Sequence, residues 1–133
     1  MILLDENIPE DQCQLLRSWR IRFRQIGQDV GRQGMNDEQH ILPLLRESGR
    51  PTFFSRDLGF FDKGWCHKHY ALICLAVSQN EVARFVRRLL RHPAFNTKAK
   101  RMGTVIRIGP VDLRVWRVHA HEEEIVEWPR QDS

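Results

Sequence analysis

Apolar and polar positions alternate along this chain with two different periods. Residues 1–5 open with a short continuous apolar run that reads as a strand. Residues 9–19 read as a helix, with Asn7 or Ile8 near its cap, Pro9 in its first turn, and Leu15, Leu16 and Trp19 on its apolar side. "IRFRQI" (21–26) alternates apolar and basic residues as a half-buried strand does, and Gly27, Gly31 and Gly34 mark the loop after it. Residues 36–49 predict a second helix, with Asn36 and Gln39 as a capping box and Gly49 as its stop. Pro43 lies inside that helix. It lacks the N–H that would bond the Gln39 carbonyl, so a kink or a late start is expected.

Residues 52–55 and 70–77 are apolar runs of strand length, the second predicted to be covered on both faces. In residues 78–92, Ser78 and Glu81 form a capping-box pattern, and Val82, Phe85, Val86, Leu89 and Leu90 share one helical face. Arg84, Arg87, Arg88 and Arg91 share the opposite face. Residues 104–108 and 112–118 read as two strands around Gly109-Pro110, with a third short strand within 122–128. Strands and helices alternating over most of the chain predict an α/β fold with a mostly parallel sheet and a terminal antiparallel strand pair.

Composition narrows the class. The 133 residues fit one domain, and 41% hydrophobic with 29% charged residues suits a soluble chain with a core. No apolar run approaches the ~20 residues of a membrane span, and the N-terminus lacks the basic region and cleavage site of a signal peptide. Cys13, Cys66 and Cys74 form no CxxC and leave an odd thiol, so reduced cysteines and a cytoplasmic location are expected.

The net charge of +4 is unevenly spread. Ten of the seventeen acids precede residue 64, whereas residues 84–101 hold seven Lys or Arg and no acid. A phosphodiester-cutting protein uses such a separation: cations hold the polyanion and carboxylates hold metal. A solvated basic helix has the same pattern.

In open α/β sheets, ligands bind beyond the carboxyl ends of the strands. Asp5 and Glu6 close the first strand, Asp57 follows the "TFFS" strand two residues after Ser55, and Asp37 and Glu38 open the second helix. If the first and "TFFS" strands are neighbours, Asp5 and Asp57 meet at one rim, and Asp37 joins them if its loop folds over. Clustered carboxylates suit Mg²⁺ or Mn²⁺, which can activate water against a phosphodiester. Each acid alone also has a structural reading: Asp37 complements a helix dipole, and Asp57 before Gly59 makes a turn.

"ILLDENIP", "GMNDEQHIL" and "FFSRDLGFF" together resemble the PIN-like family whose members open with LLDEN, relatives of the toxin nucleases of bacterial toxin–antitoxin pairs. The similarity in order runs over residues 1 to about 118, with 119–133 as an acidic tail. It implies a PIN-like Rossmannoid three-layer sandwich and metal-dependent cleavage of RNA, with an antitoxin protein and pairing with a second copy as partners. By position, Asp5, Asp37 and Asp57 match the family's acidic pocket, Ser55 a hydroxyl beside it, and Asn7 a polar residue of the first motif. Relatives often carry a second acid two residues after the strand-end Asp. This chain has Gly59 there, and Asp62 is the nearest acid to replace it. Glu6 and Glu38 are secondary candidates as ligand or base, and the Arg84, Arg87, Arg88 and Arg91 face would hold phosphates or an antitoxin.

Other readings stand beside this one. "CHKH" (66–69) and "HAH" (119–121) contain zinc-type ligands but no full four-ligand spacing. A PIN-like module without catalysis that binds RNA or protein is favoured by Gly59. A phosphoreceiver would also place acids after its first and third strands, and Ser78 could supply its hydroxyl. Its fifth strand requires a Lys where this chain has Arg107.

Overall fold

β4 (Ala71–Leu75) is buried at every position, as a strand with helices on both faces must be. The computed structural model describes residues 1–35 and 37–130, the side chains of Asp37 and Glu38 excepted. Around β4 stand β1 (Ile2–Leu4), β2 (Arg24–Gln25), β3 (Thr52–Ser55), β5 (Thr104–Ile108), β6 (Asp112–Arg117) and β7 (Glu124–Glu127). They form one sheet in the order β2-β1-β3-β4-β5-β6-β7. The first five are parallel, and β6 and β7 add antiparallel pairings.

Helices cover both faces, which gives the α/β sandwich that the alternation predicts. On one face Leu4, Phe54, Ile73 and Ile106 pack against α1 (Glu10–Ser18) and α3 (Val82–Arg91). On the other, Leu3, Phe53, Leu72 and Val105 pack against Ile41, Leu42 and Leu45, which belong to a π-helical turn (Asp37–Ile41) and to α2 (Leu42–Glu47). Pro43 acts as its chemistry requires: α2 starts late, with the proline in its first turn, and the wider π turn precedes it. α4 (Lys98–Arg101) is a single short turn of helix.

Four local expectations are corrected. "IRFRQI" forms a ladder only over Arg24–Gln25, because β2 lies at the sheet's edge and meets only Leu3 and Leu4. Helix α1 turns Gln12, Cys13 and Leu16 inward, so Leu15 is 40% exposed and Trp19 only half-buried. Asn7 does not cap α1: Pro9 is the N-cap residue, and its carbonyl accepts from the Gln12 and Cys13 N–H groups. The Ser78–Glu81 box does not form. Glu81 reaches Arg84 (3.6 Å), a 3-10 turn (Gln79–Glu81) leads into α3, and the Gln12 side chain accepts the Ala83 N–H (2.9 Å). The Asn36 cap lies outside the described residues.

The acidic C-terminal run includes β7, and Trp128 Nε1 ties the end of the described chain to the Gly109 carbonyl (2.8 Å). No helix among the described residues is long and apolar enough to cross a membrane.

Candidate acidic site

The strand order reverses at β1, which has β2 on one side and β3 on the other. The crevice beyond β1 and β3 is therefore the switch point where such sheets bind ligands. The β1–β3 ladder runs one residue further, because the Asp5 N–H donates to the Phe54 carbonyl (2.9 Å). Leu4 faces the α1 layer, so alternation turns Asp5 toward the other face, beside Ser55.

Ser55 links the Asp5 carboxylate to the Asp57 backbone. Its Oγ donates to Asp5 Oδ2 (2.6 Å) and accepts the Asp57 N–H (3.0 Å). Asp5 Oδ1 accepts the Glu6 N–H (2.8 Å), so both its oxygens are engaged. Asp5 is 5% exposed and Ser55 1%. Burial raises the Asp5 pKa above the usual carboxylate range. The Ser55 and Glu6 hydrogen bonds oppose that shift, and the nearby Glu6 and Asp57 charges add to it.

Asp57 is exposed, and its Oδ1 accepts the Gly59 N–H (2.8 Å) to cap the 3-10 turn Leu58–Phe60. A Cβ at position 59 would stand 3.0 Å from that same oxygen. Gly59 thus leaves Asp57 room to close its own turn.

The remaining predicted residues stand elsewhere or outside the described set. Glu6 accepts the Gly34 N–H with both oxygens (2.9 and 3.2 Å), which anchors the glycine-rich loop leading to the π turn. Asn7 is exposed. Asp62 is exposed and caps a separate turn through the Gly64 N–H (2.8 Å). The backbone of Asp37 and Glu38 opens the π turn, and their side chains lie outside the described residues. Among the described residues, no three His, Cys, Asp or Glu side chains gather into a metal-holding group. Of the predicted set, the fold brings together Asp5, Ser55 and Asp57.

On α3, Arg87 stacks on Trp19 (3.7 Å), Arg88 on Trp128 (4.3 Å) and Arg84 lies over the Phe85 ring (5.6 Å), so three of the four arginines cover aromatic surface. Arg84 reaches Glu81, and Arg91 is exposed. The histidines divide. His67 stacks on Tyr70, whereas His119 and His121 line a cavity of about 330 Å³ with Cys66.

Cys74, Arg107 and Gln25, around the site, are not among the residues predicted for it. Ser55, Cys74 and Arg107 are in register across β3, β4 and β5, so they form one row on one face. Burial, helped by the Asp57 charge, pushes the Cys74 thiol up to about 12, so it is neutral and no nucleophile. Arg107 is exposed at the end of that row, roughly 10 Å from Ser55 by strand spacing. Gln25 Nε2 donates to the Asp5 and Ile8 carbonyls (3.1 and 3.3 Å) and holds the turn after β1. Gln25 shares the apolar phase of Ile21 and Phe23, and a polar residue on that phase was its signal.

No protein family, curated protein or solved structure matches this chain.

Proposed function

We propose that this chain is a PIN-like endoribonuclease that uses Mg²⁺ or Mn²⁺, and that it serves as the toxin of a toxin–antitoxin pair. The observation that carries the enzymatic reading is the Asp5–Ser55–Asp57 linkage at the switch point. A buried carboxylate with a raised pKa beside a second acid is a place where a cation can replace a proton. Mg²⁺ is commonly held by one or two carboxylates with several waters, so this donor set suits it. The toxin role rests on the resemblance carried by "LLDEN", "NDE" and "SRD".

Asp5 and Asp57 would hold the ion, with Ser55 orienting the Asp5 carboxylate and the Asp57 backbone. The ion, when bound, would lower the pKa of a water and stabilise the leaving oxygen of a phosphodiester. Arg107, on the same face, would neutralise a neighbouring phosphate. An antitoxin would find the exposed Arg84 and Arg91 on α3.

The test is Mn²⁺-dependent cleavage of end-labelled single-stranded RNA. The wild type should cut, and Asp5→Asn and Asp57→Asn should each lose at least 100-fold in rate while keeping the far-UV spectrum. Full activity in both variants would overturn the proposal. RNA binding without cleavage by the wild type would favour the non-catalytic module.

One observation favours a second reading. The order β2-β1-β3-β4-β5 is the flavodoxin-like order that phosphoreceivers share, with Asp57 just after β3. Labelling of Asp57 by a small phosphodonor would support it.

A further inference from the structure

The edge of the sheet beside β1, from the close of α1 to β2, carries a run of cations. Arg20, Arg22 and Arg24 recur every second residue and all are exposed, while Ile21 and Phe23 between them pack against the α1-side core. No carboxylate among the described residues pairs with any of the three. The fourth arginine here, Arg17, bonds Glu10 (2.9 Å) and lies over the Phe23 ring (5.1 Å). These side chains line a cleft of about 690 Å³. Arg20 also closes α1 in the left-handed region (φ 62°), where glycine is the usual residue.

We propose that this edge is a track for single-stranded RNA, with Arg20, Arg22 and Arg24 each neutralising one phosphate. Arg20 sits in the left-handed turn after α1, so only the step from Arg22 to Arg24 approaches the roughly 6.6 Å of alternate extended residues, a repeat close to one nucleotide of a stretched single strand. The row has a direction. Arg24 is in register with Leu3, two residues before Asp5, so the track runs alongside β1 toward the acidic pair. An acidic polypeptide adding as a strand would find little ladder. β2 has two residues, and the Gln25 N–H is already held by Asp29 Oδ2 (3.0 Å). Edge cations also discourage strand pairing, but that role alone would not need a cleft. The track rests on the ribonuclease reading for where the strand leads, not for its binding.

The experiment is fluorescence anisotropy of a labelled 12-nucleotide oligouridylate in EDTA, so that cleavage plays no part, repeated across salt concentrations. Three proteins are compared: wild type, the triple variant R20Q/R22Q/R24Q, and R20K/R22K/R24K, each checked by thermal melting. Each phosphate contact contributes about 0.7 to the slope of log affinity against log salt, so the glutamine variant should have a slope shallower by about 2. Between 50 and 200 mM salt the wild type should then weaken about 20-fold more than that variant. The lysine variant should restore the slope. An unchanged slope in the glutamine variant, or no restoration by lysine, would overturn the track. So would polyglutamate binding as tightly as the oligonucleotide. A wild type that shows this salt slope but does not cut RNA with Mn²⁺ would count against the acidic site and leave the track standing.

Discussion

At the residue scale, the candidate site turns on one hydroxyl between the Asp5 carboxylate and the Asp57 backbone N–H. Ser55→Ala removes the donor to Asp5 Oδ2 and the acceptor for the Asp57 N–H together. The Asp5 pKa should rise further, and Mn²⁺ affinity should fall about 10–100-fold, as for other orienting partners of metal ligands. Isothermal titration calorimetry reads this directly, and unchanged affinity would separate Ser55 from the site.

Asp5 also sets a pH dependence whose sign follows from its raised folded pKa. Below the unfolded pKa both states hold the proton and no penalty exists. Between the two values the unfolded state releases it first, so stability falls as pH rises, and above the folded pKa the full penalty is present. The stability of metal-free wild type minus that of Asp5→Asn should therefore decrease as pH rises through the folded pKa and then level off. Urea unfolding across pH measures it, and an increase with pH would contradict it. Asp5 and Asp57 were legible in the sequence because each closes or follows a strand, and Ser55 through the resemblance that carries it. Gln25 was not read as a site residue, since its role depends on which carbonyls the fold places beside it.

At the element scale, legibility followed periodicity. α3 was readable because five apolar positions and four arginines separate cleanly around its axis. α1 was misread at Leu15 because nine residues with few apolar positions do not determine which side faces the sheet. What orients it is a polar contact: Gln12 is buried, and its Oε1 accepts the Ala83 N–H at the start of α3. That bond replaces the expected Ser78 cap, and no local pattern announces a cap from another helix. Gln12→Ala should leave the Ala83 N–H unsatisfied and destabilise the protein by about 1–3 kcal/mol, read as a shifted midpoint in urea. A change below about 0.5 kcal/mol would mean that water or the backbone takes over the bond.

At the scale of the whole molecule, the alternation of strands and helices was sufficient for the class, but not for the strand order. Order depends on crossovers, and the adjacency of β1 and β3 that joins Asp5 to Ser55 was only a condition in the sequence reading. The loop from Gly27 to Gly34 is tied back to Glu6, so it places the π turn relative to the acidic rim. If the rim binds Mn²⁺ and the unfolded chain does not, a concentration of 100 times Kd should stabilise the fold by about 2.7 kcal/mol. That gain should shrink as the pH is lowered and protons compete for Asp5, and it should be absent in Asp5→Asn. A gain that persists in Asp5→Asn would place the metal elsewhere.

The central claim is that the ends of β1 and β3 hold a divalent cation. Anomalous diffraction from crystals soaked in Mn²⁺ tests it most directly. The account predicts a peak about 2.0–2.2 Å from a carboxylate oxygen of Asp5 and one of Asp57. A protein that cuts RNA with Mn²⁺ yet shows its anomalous peak away from both carboxylates would contradict it.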